Sequence, residues 1–310
     1  MMKMRIECFG GKLGFFLRKV TPKLCGDAYL YLSRKLSNGV AKKYIMREDN
    51  YYTPLFISVE TINRCNGTCP FCPCNIRDES RPYMEMSDKV FNKIISDLRK
   101  IKYSGTLMLL ANNEIFLDKK IMDRIKIARK RLPKCHMKII TNGKLLTKKI
   151  FDELNDNKLV DEMVINNYNS STKLNPQVQK IYDLYRDKDL NMEVVINIRY
   201  ANEVLSNRAG TSPNKKETKK VIKDYCVLPY TDININPEGN LLICCCDATE
   251  KTNLGNIMDD SLINIFNNEK YRTIREKMKK GRHNYAFCKY CDFNDVGTRK
   301  QLIENEMRKW

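Results

Sequence analysis

At 310 residues, 42% of them hydrophobic, the chain can bury a substantial core as one large domain with an appendage, which excludes wholesale disorder. Its 56 Lys and Arg against 37 Asp and Glu give a formal charge of +19, which favours anionic partners without choosing among nucleic acid, phosphorylated substrates and acidic membrane surfaces. No stretch approaches the roughly 20 apolar residues that span a bilayer, and the patch Leu13-Gly14-Phe15-Phe16 is too short for a signal-peptide core, so the expected compartment is the cytoplasm.

In chain order, residues 1–53 form a basic extension broken by glycines. Its apolar period over 28–45 (Tyr29, Leu30, Leu32, Leu36, Val40) predicts a helix packed outside the main domain, with an interfacial membrane helix as the alternative. From Pro54 onward, short apolar strands alternate with amphipathic helices. Strands are expected at 55–60, 106–110, 137–140, 163–167 and 192–199. Helices are expected at 88–101, capped by Ser87, at 119–131, at 148–154, capped by Thr147, and at 176–186. Regular alternation implies a parallel sheet with right-handed crossovers, read as an open or partial barrel over 54–210. A polar linker over 210–220 leads into a C-terminal part, 211–310. That part reads as a hairpin (230–235 and 241–245 around Pro237-Glu238-Gly239-Asn240), a helix at 261–280 and a cysteine-bearing tail.

The 13 cysteines carry the chemistry. In a reducing compartment they are metal ligands or catalytic groups rather than disulfides, and an odd count does not suit a closed disulfide framework. After the first strand stands Arg64-Cys65-Asn66-Gly67-Thr68-Cys69-Pro70-Phe71-Cys72, a Cys-x3-Cys-x2-Cys spacing expected by chance roughly 0.02 times at this cysteine content. No histidine lies near to complete a zinc site, though Cys74 could make a mononuclear four-thiolate centre. Four thiolates saturate a [4Fe–4S] cluster, whereas three leave one iron open. Cys226, Cys244, Cys288 and Cys291 form a second set, open on residue type to zinc or to a cluster.

The first motif, with Phe71 before its last cysteine and its place after the first strand, resembles that of the radical S-adenosylmethionine (SAM) superfamily. The resemblance implies a partial (β/α) TIM-like barrel and a [4Fe–4S] cluster on Cys65, Cys69 and Cys72, its open iron chelated by SAM. It also implies adenine contact at the backbone of Phe71, a hydrogen bond from the SAM ammonium to Glu114, and SAM contact by Asn142. Asn112, Asn113 and Ile115 stand where the family usually has glycines and a proline. The second set is similar to a SPASM-type extension in its shortened "twitch" form, which implies one auxiliary [4Fe–4S] cluster on Cys226, Cys244, Cys288 and Cys291.

Over 54–292 the chain is similar to the branch of the superfamily that dehydrogenates aminocyclitols. Both cysteine sets and Leu205-Ser206-Asn207-Arg208-Ala209-Gly210 carry that likeness, which makes Arg208 a substrate-binding candidate and candidate base. Cys245 and Cys246 replace an aromatic and an acidic residue that face substrate in that branch. A thiol there could return a hydrogen atom and make the enzyme an epimerase; a buried hydrophobe is the plainer reading of a free cysteine. Cys8, Cys25, Cys74 and Cys135 are read as structural.

The expected activity is oxidation of an alcohol carbon in a sugar, aminocyclitol or glycan-like small molecule. The auxiliary cluster would accept the electron, and an external flavodoxin- or ferredoxin-type protein would supply the reducing electron. Alternatives are the epimerase, a peptide maturase of the SPASM type, and a metal-binding regulator that is no enzyme. The basic residues are dispersed without the interleaved aromatics of an RNA-binding surface, so no nucleic-acid partner is expected.

Overall fold

The computed structural model describes residues 2–8, 11–47, 51–74, 81–215, 220–294 and 296–308. Eight strands are present: β1 Met4–Cys8, β2 Phe56–Val59, β3 Thr106–Met108, β4 His136–Thr141, β5 Glu162–Asn169, β6 Glu193–Tyr200, β7 Asp232–Ile235 and β8 Leu241–Leu242. They make one open sheet in the order β1-β6-β5-β4-β3-β2-β7-β8, parallel throughout except for the β7–β8 hairpin. The fold is mixed α/β, as the β–α alternation implies. Each residue of β2 and of β7 is buried, the mark of parallel strands covered on both faces.

The helices are α1 Gly11–Val20, α2 Pro22–Ile45, α3 Asp88–Lys100, α4 Ile121–Arg131, α5 Lys148–Asp156, α6 Pro176–Tyr185, α7 Leu228–Thr231, α8 Leu262–Phe266, α9 Glu269–Lys279 and α10 Val296–Met307. Two of the helices that cross over between parallel strands, α3 and α5, begin at side-chain caps. Ser87 Oγ accepts from Val90 N at 3.2 Å, and Thr147 Oγ1 from Ile150 N at 3.2 Å. In α3 the buried residues Val90, Phe91, Ile94, Ile95 and Leu98 form one face toward the core. Because the strands run parallel, the chain segments leaving β2, β3, β4 and β6 all emerge at one rim of the sheet.

Four expectations are amended. The extension is not wholly helical: β1 pairs with β6 and adds a strand to the sheet edge. β7 is not confined to an appended hairpin but lies parallel beside β2 in the main sheet. The segment 261–280 is two helices, because the Asn268 side chain caps a fresh start by accepting from Tyr271 N at 3.0 Å. The expected linker is packed rather than free over its described part, where Thr211, Ser212 and Lys215 are buried; its residues 216–219 lie outside the described ones.

Candidate active site

The loop after β2 is anchored before it departs: Glu60 N donates to Ile235 O at 2.8 Å, one step past the β2–β7 ladder. Cys65, Cys69 and Cys72 follow. Cys72 N donates to Cys69 O at 3.0 Å, which turns the chain back, and Gly67 N donates to Cys65 Sγ at 3.3 Å. A Cβ on Gly67 would stand 3.3 Å from Cys65 Sγ and 3.8 Å from Cys69 Sγ, so the backbone passes directly across two of the sulfurs.

Cys74, expected to be merely structural, joins them. It is buried, its thiol lies in hydrogen-bond contact with those of Cys65 and Cys72, and it donates to Asn112 O at 2.6 Å. Burial and the neighbouring Cys72 sulfur push the Cys69 thiol up to about 11, and the contact with Cys74 together with burial pushes Cys72 further up. A bound iron–sulfur group would supply the positive charge that lets such neighbouring thiols ionise together. Three thiols at Cys-x3-Cys-x2-Cys spacing on one loop suit a polynuclear iron–sulfur group with one open iron better than zinc, whose structural sites take four protein ligands.

The other rim loops close on this one. Glu114 N donates to Arg64 O at 2.9 Å, tying the loop after β3 to the cysteine loop. The Glu114 carboxylate accepts from Thr141 Oγ1 at 2.6 Å and from Asn142 N at 2.9 Å. Burial raises its pKa while these donors hold it down. Asn142 Nδ2 donates to Asn66 Oδ1 at 2.8 Å, so the turn after β4 also reaches the cysteine loop. Gly143 takes φ 75°, where a Cβ would stand 2.6 Å from Val178 Cγ2, so the turn needs glycine. The Phe71 ring lies 5.3 Å from that of Tyr168, and Ser212 Oγ donates to Phe71 O at 2.9 Å. Beside them opens a cleft lined by Gly67, Pro70, Asn142, Asn166, Tyr168 and Asn175.

The second cysteine set is gathered by a residue the sequence did not single out. Arg282 is 1% exposed and spends its guanidinium on four carbonyls: Asp224 at 3.2 Å, Tyr225 at 2.8 Å, Cys291 at 3.0 Å and Phe293 at 2.8 Å. It thereby staples the approach to Cys226 onto the tail that bears Cys288 and Cys291. Cys291 N donates to Cys288 O at 3.1 Å, making a tight turn between the pair. Cys246 is wholly buried, its thiol against those of Cys244, Cys245 and Cys291, so it belongs to this set. Asp247, also wholly buried, shapes the loop by accepting from Lys251 N at 2.9 Å and Thr252 N at 2.8 Å.

Between the two sets stands Arg208. Its Nη2 donates to Asn112 Oδ1 at 2.6 Å and to Cys245 O, while its buried Nε has no hydrogen-bond partner among the described residues. Burial lowers its proton affinity, but the sulfurs of Cys246, Cys245, Cys72 and Cys74 raise it further, so the guanidinium is held firmly protonated. Arg208 and Ala209 both take left-handed backbone (φ 45° and 56°), a conformation that persists because neighbours fix it. Asn207 does so: its N donates to Asp292 Oδ1 at 2.7 Å and its Nδ2 to Tyr290 O at 2.7 Å. Lys215 Nζ closes the clamp on Asp292 Oδ2 at 2.6 Å.

Comparison with known proteins agrees with this arrangement. The model of the radical SAM superfamily matches residues 59–212, and that of the SPASM iron–sulfur cluster-binding domain matches 226–292. The S-adenosyl-L-methionine-dependent 2-deoxy-scyllo-inosamine dehydrogenase of Niallia circulans is 26% identical over 246 residues, covering 79% of this chain and 95% of that protein. The crystal structure of BtrN in complex with AdoMet and 2-DOIA superposes with a TM-score of 0.65 at 24% identity, covering 79% of this chain and 95% of that one. Native anSMEcpe with bound AdoMet shares the fold with a TM-score of 0.53 at 12% identity, over 83% of this chain and all of that one. The chain belongs to the radical SAM superfamily, as an enzyme that binds SAM and an iron–sulfur cluster and carries a SPASM-type cluster-binding extension.

Proposed function

We propose that the enzyme oxidises an alcohol carbon of a small aminocyclitol- or sugar-like molecule, working in the cytoplasm with a flavodoxin- or ferredoxin-type electron donor. The observation that carries this reading is the Arg208 guanidinium, which lies within electrostatic reach of thiols from both cysteine sets and keeps an Nε–H unpartnered among the described residues. In this reading Cys65, Cys69 and Cys72 hold one cluster, and Cys226, Cys244, Cys288 and Cys291 hold the other. Bound there, cluster and SAM supply a 5′-deoxyadenosyl radical able to take a hydrogen atom from carbon.

The chain's own groups do the rest. Cys74 spends its thiol proton on Asn112 O, which favours the neutral thiol there over a fourth thiolate ligand. The Glu114 carboxylate accepts from Thr141 Oγ1 and from the backbone N–H groups of Asn142 and Phe116, and keeps room for a further donor such as an ammonium. Asn142 and Tyr168, the latter packed on Phe71, line the cleft where the nucleoside would lie. Arg208 serves as donor rather than base, since a guanidinium keeps its proton, and its Nε–H orients the substrate hydroxyl. The recess lined by Glu60, Arg81, Asn234 and Glu250 beside Cys244 has about 10 Å³ of free space, room for a single water, and there the Asn234 amide has no hydrogen-bond partner among the described residues. Conversion of CHOH to C=O would pass a hydrogen atom to the 5′-deoxyadenosyl radical, a proton to water at the site and an electron to the cluster that Cys226, Cys244, Cys288 and Cys291 would hold. The likeness to an aminocyclitol dehydrogenase supports the same substrate class.

Anaerobic reconstitution should give about seven to eight irons per chain. Alanine at Cys65, Cys69 or Cys72 should abolish 5′-deoxyadenosine formation, whereas Cys288→Ala should leave SAM cleavage but stop oxidation. The product should be two hydrogens lighter than the substrate, with one SAM consumed per turnover. A second reading, epimerisation, is favoured by one observation: Cys245, unlike Cys246, is not fully buried and touches the same network as Arg208. Solvent deuterium at carbon in a product of unchanged mass otherwise would select it and sink the dehydrogenase.

A further inference from the structure

The family matches begin at residue 59, and what precedes them has a surface that the chemistry above does not use. Along α1 and into the first turn of α2, Leu13, Phe16, Leu17, Val20 and Leu24 fall at helical spacing on one stripe, and all five are 44% to 68% exposed. The helical path is nearly continuous across the junction, with Thr21 N donating to Leu17 O at 2.7 Å and Cys25 N to Thr21 O at 3.0 Å. Only Phe15 of α1 is buried. Exposed Lys12, Lys19 and Lys23 flank the stripe. Through residue 47 the sequence has eleven Lys or Arg but only two acidic residues, Glu7 and Asp27, and Asp27 is already paired with Lys215.

We propose that α1 and the start of α2 form an interfacial anchor that docks the enzyme on an anionic phospholipid bilayer. The apolar stripe would enter the headgroup boundary while the lysines meet lipid phosphates. Charge selects this occupant. A second copy would set the same cationic segment against itself, whereas an acidic bilayer complements it. The anchor is also wired to the catalytic rim. A Cβ on Gly26 would stand 2.0 Å from Val204 O, so α2 lies with its backbone against the segment that ends in Arg208. Arg34 of the same helix donates to Asp292 O at 2.8 Å and pairs with Asp224 at 3.2 Å.

The test is co-sedimentation of the reconstituted full-length enzyme with vesicles of phosphatidylcholine, alone or mixed with phosphatidylglycerol. Binding is expected only with the anionic vesicles and should fall with added salt. Phe16→Glu with Leu17→Glu, or Lys19→Glu with Lys23→Glu, should weaken it about tenfold or more while cluster absorption and SAM cleavage persist. Absence of binding to anionic vesicles would overturn the proposal, as would equal binding to phosphatidylcholine alone. So would a dimer in sedimentation velocity that Phe16→Glu with Leu17→Glu dissolves while vesicle binding stays intact. The readout needs no turnover, so its failure would leave the assigned reaction untouched.

Discussion

Arg282 organises the second cysteine set without touching any expected reaction. Four carbonyls converge on one guanidinium, and removing it leaves them buried without donors, at about 1–3 kcal/mol each in the worst case. Arg282→Gln should therefore let Cys226 drift from Cys288 and Cys291. Reconstituted iron should fall by about half while SAM is still cleaved, since the first loop is untouched; unchanged iron content would refute the staple. Arg208→Lys keeps the charge but loses the fork and the Nε–H, so product formation should drop roughly ten- to a hundredfold with 5′-deoxyadenosine still released. Parallel loss of both products would place Arg208 in SAM binding instead. At this scale the sequence speaks where spacing is informative: Cys65-x3-Cys69-x2-Cys72 and Cys288-x2-Cys291 stand out as candidate ligands by their intervals. Arg282 does not, because it is one among 56 Lys and Arg, and nothing in a single basic residue says that it will be buried. Cys74 was visible as a thiol, but its role is set by Asn112, a contact made across the fold.

Among the secondary elements, α8 and α9 show how one side chain redirects the chain. Asn268 caps α9 through its oxygen and, through Nδ2, donates to Leu254 O at 2.7 Å, so it also pins the return of the hairpin. Asn268→Ala should cost about 1–2 kcal/mol, lowering the thermal midpoint by a few degrees in differential scanning calorimetry. Asn268→Ser, which keeps the cap but not the second bond, should recover part of the loss; a full loss with serine would mean that the cap contributes little. An apolar period over 261–280 reads as a single helix because asparagine is tolerated inside one, and the break is favoured by tertiary bonds, from Asn268 to Leu254 O and between Asn267 and the Tyr52 backbone. Ser87 and Thr147, in contrast, precede strongly periodic segments, and both caps form as the sequence implies. β1 was illegible for another reason. It is an edge strand of mixed burial whose partner, β6, lies about 190 residues away, and short-range pattern carries no trace of such a pairing.

Across the whole molecule, the sheet is what makes two cluster-binding segments one machine. β7 belongs by sequence to the C-terminal part, yet it lies against β2, the strand that launches the first cysteine loop. The last helix secures that arrangement. Arg299 of α10 donates from Nε to Asp232 Oδ1 at 2.8 Å and from Nη2 to Asp232 Oδ2, with both side chains no more than 4% exposed and the guanidinium 4.6 Å over the Phe56 ring. A two-pronged pair buried this deeply recovers its desolvation cost only while both partners are present. Asp232→Ala should strand a buried cation and destabilise the enzyme by about 3–5 kcal/mol, whereas Asp232→Ala combined with Arg299→Met should regain most of that loss. A double-mutant cycle read by thermal midpoint checks the coupling, and additive losses would refute it. If the coupling holds, loosening α10 should also reach the chemistry. The same strand register that joins β7 to β2 sets the distance between the two cysteine sets, so Asp232→Ala should slow product formation more than it slows SAM cleavage.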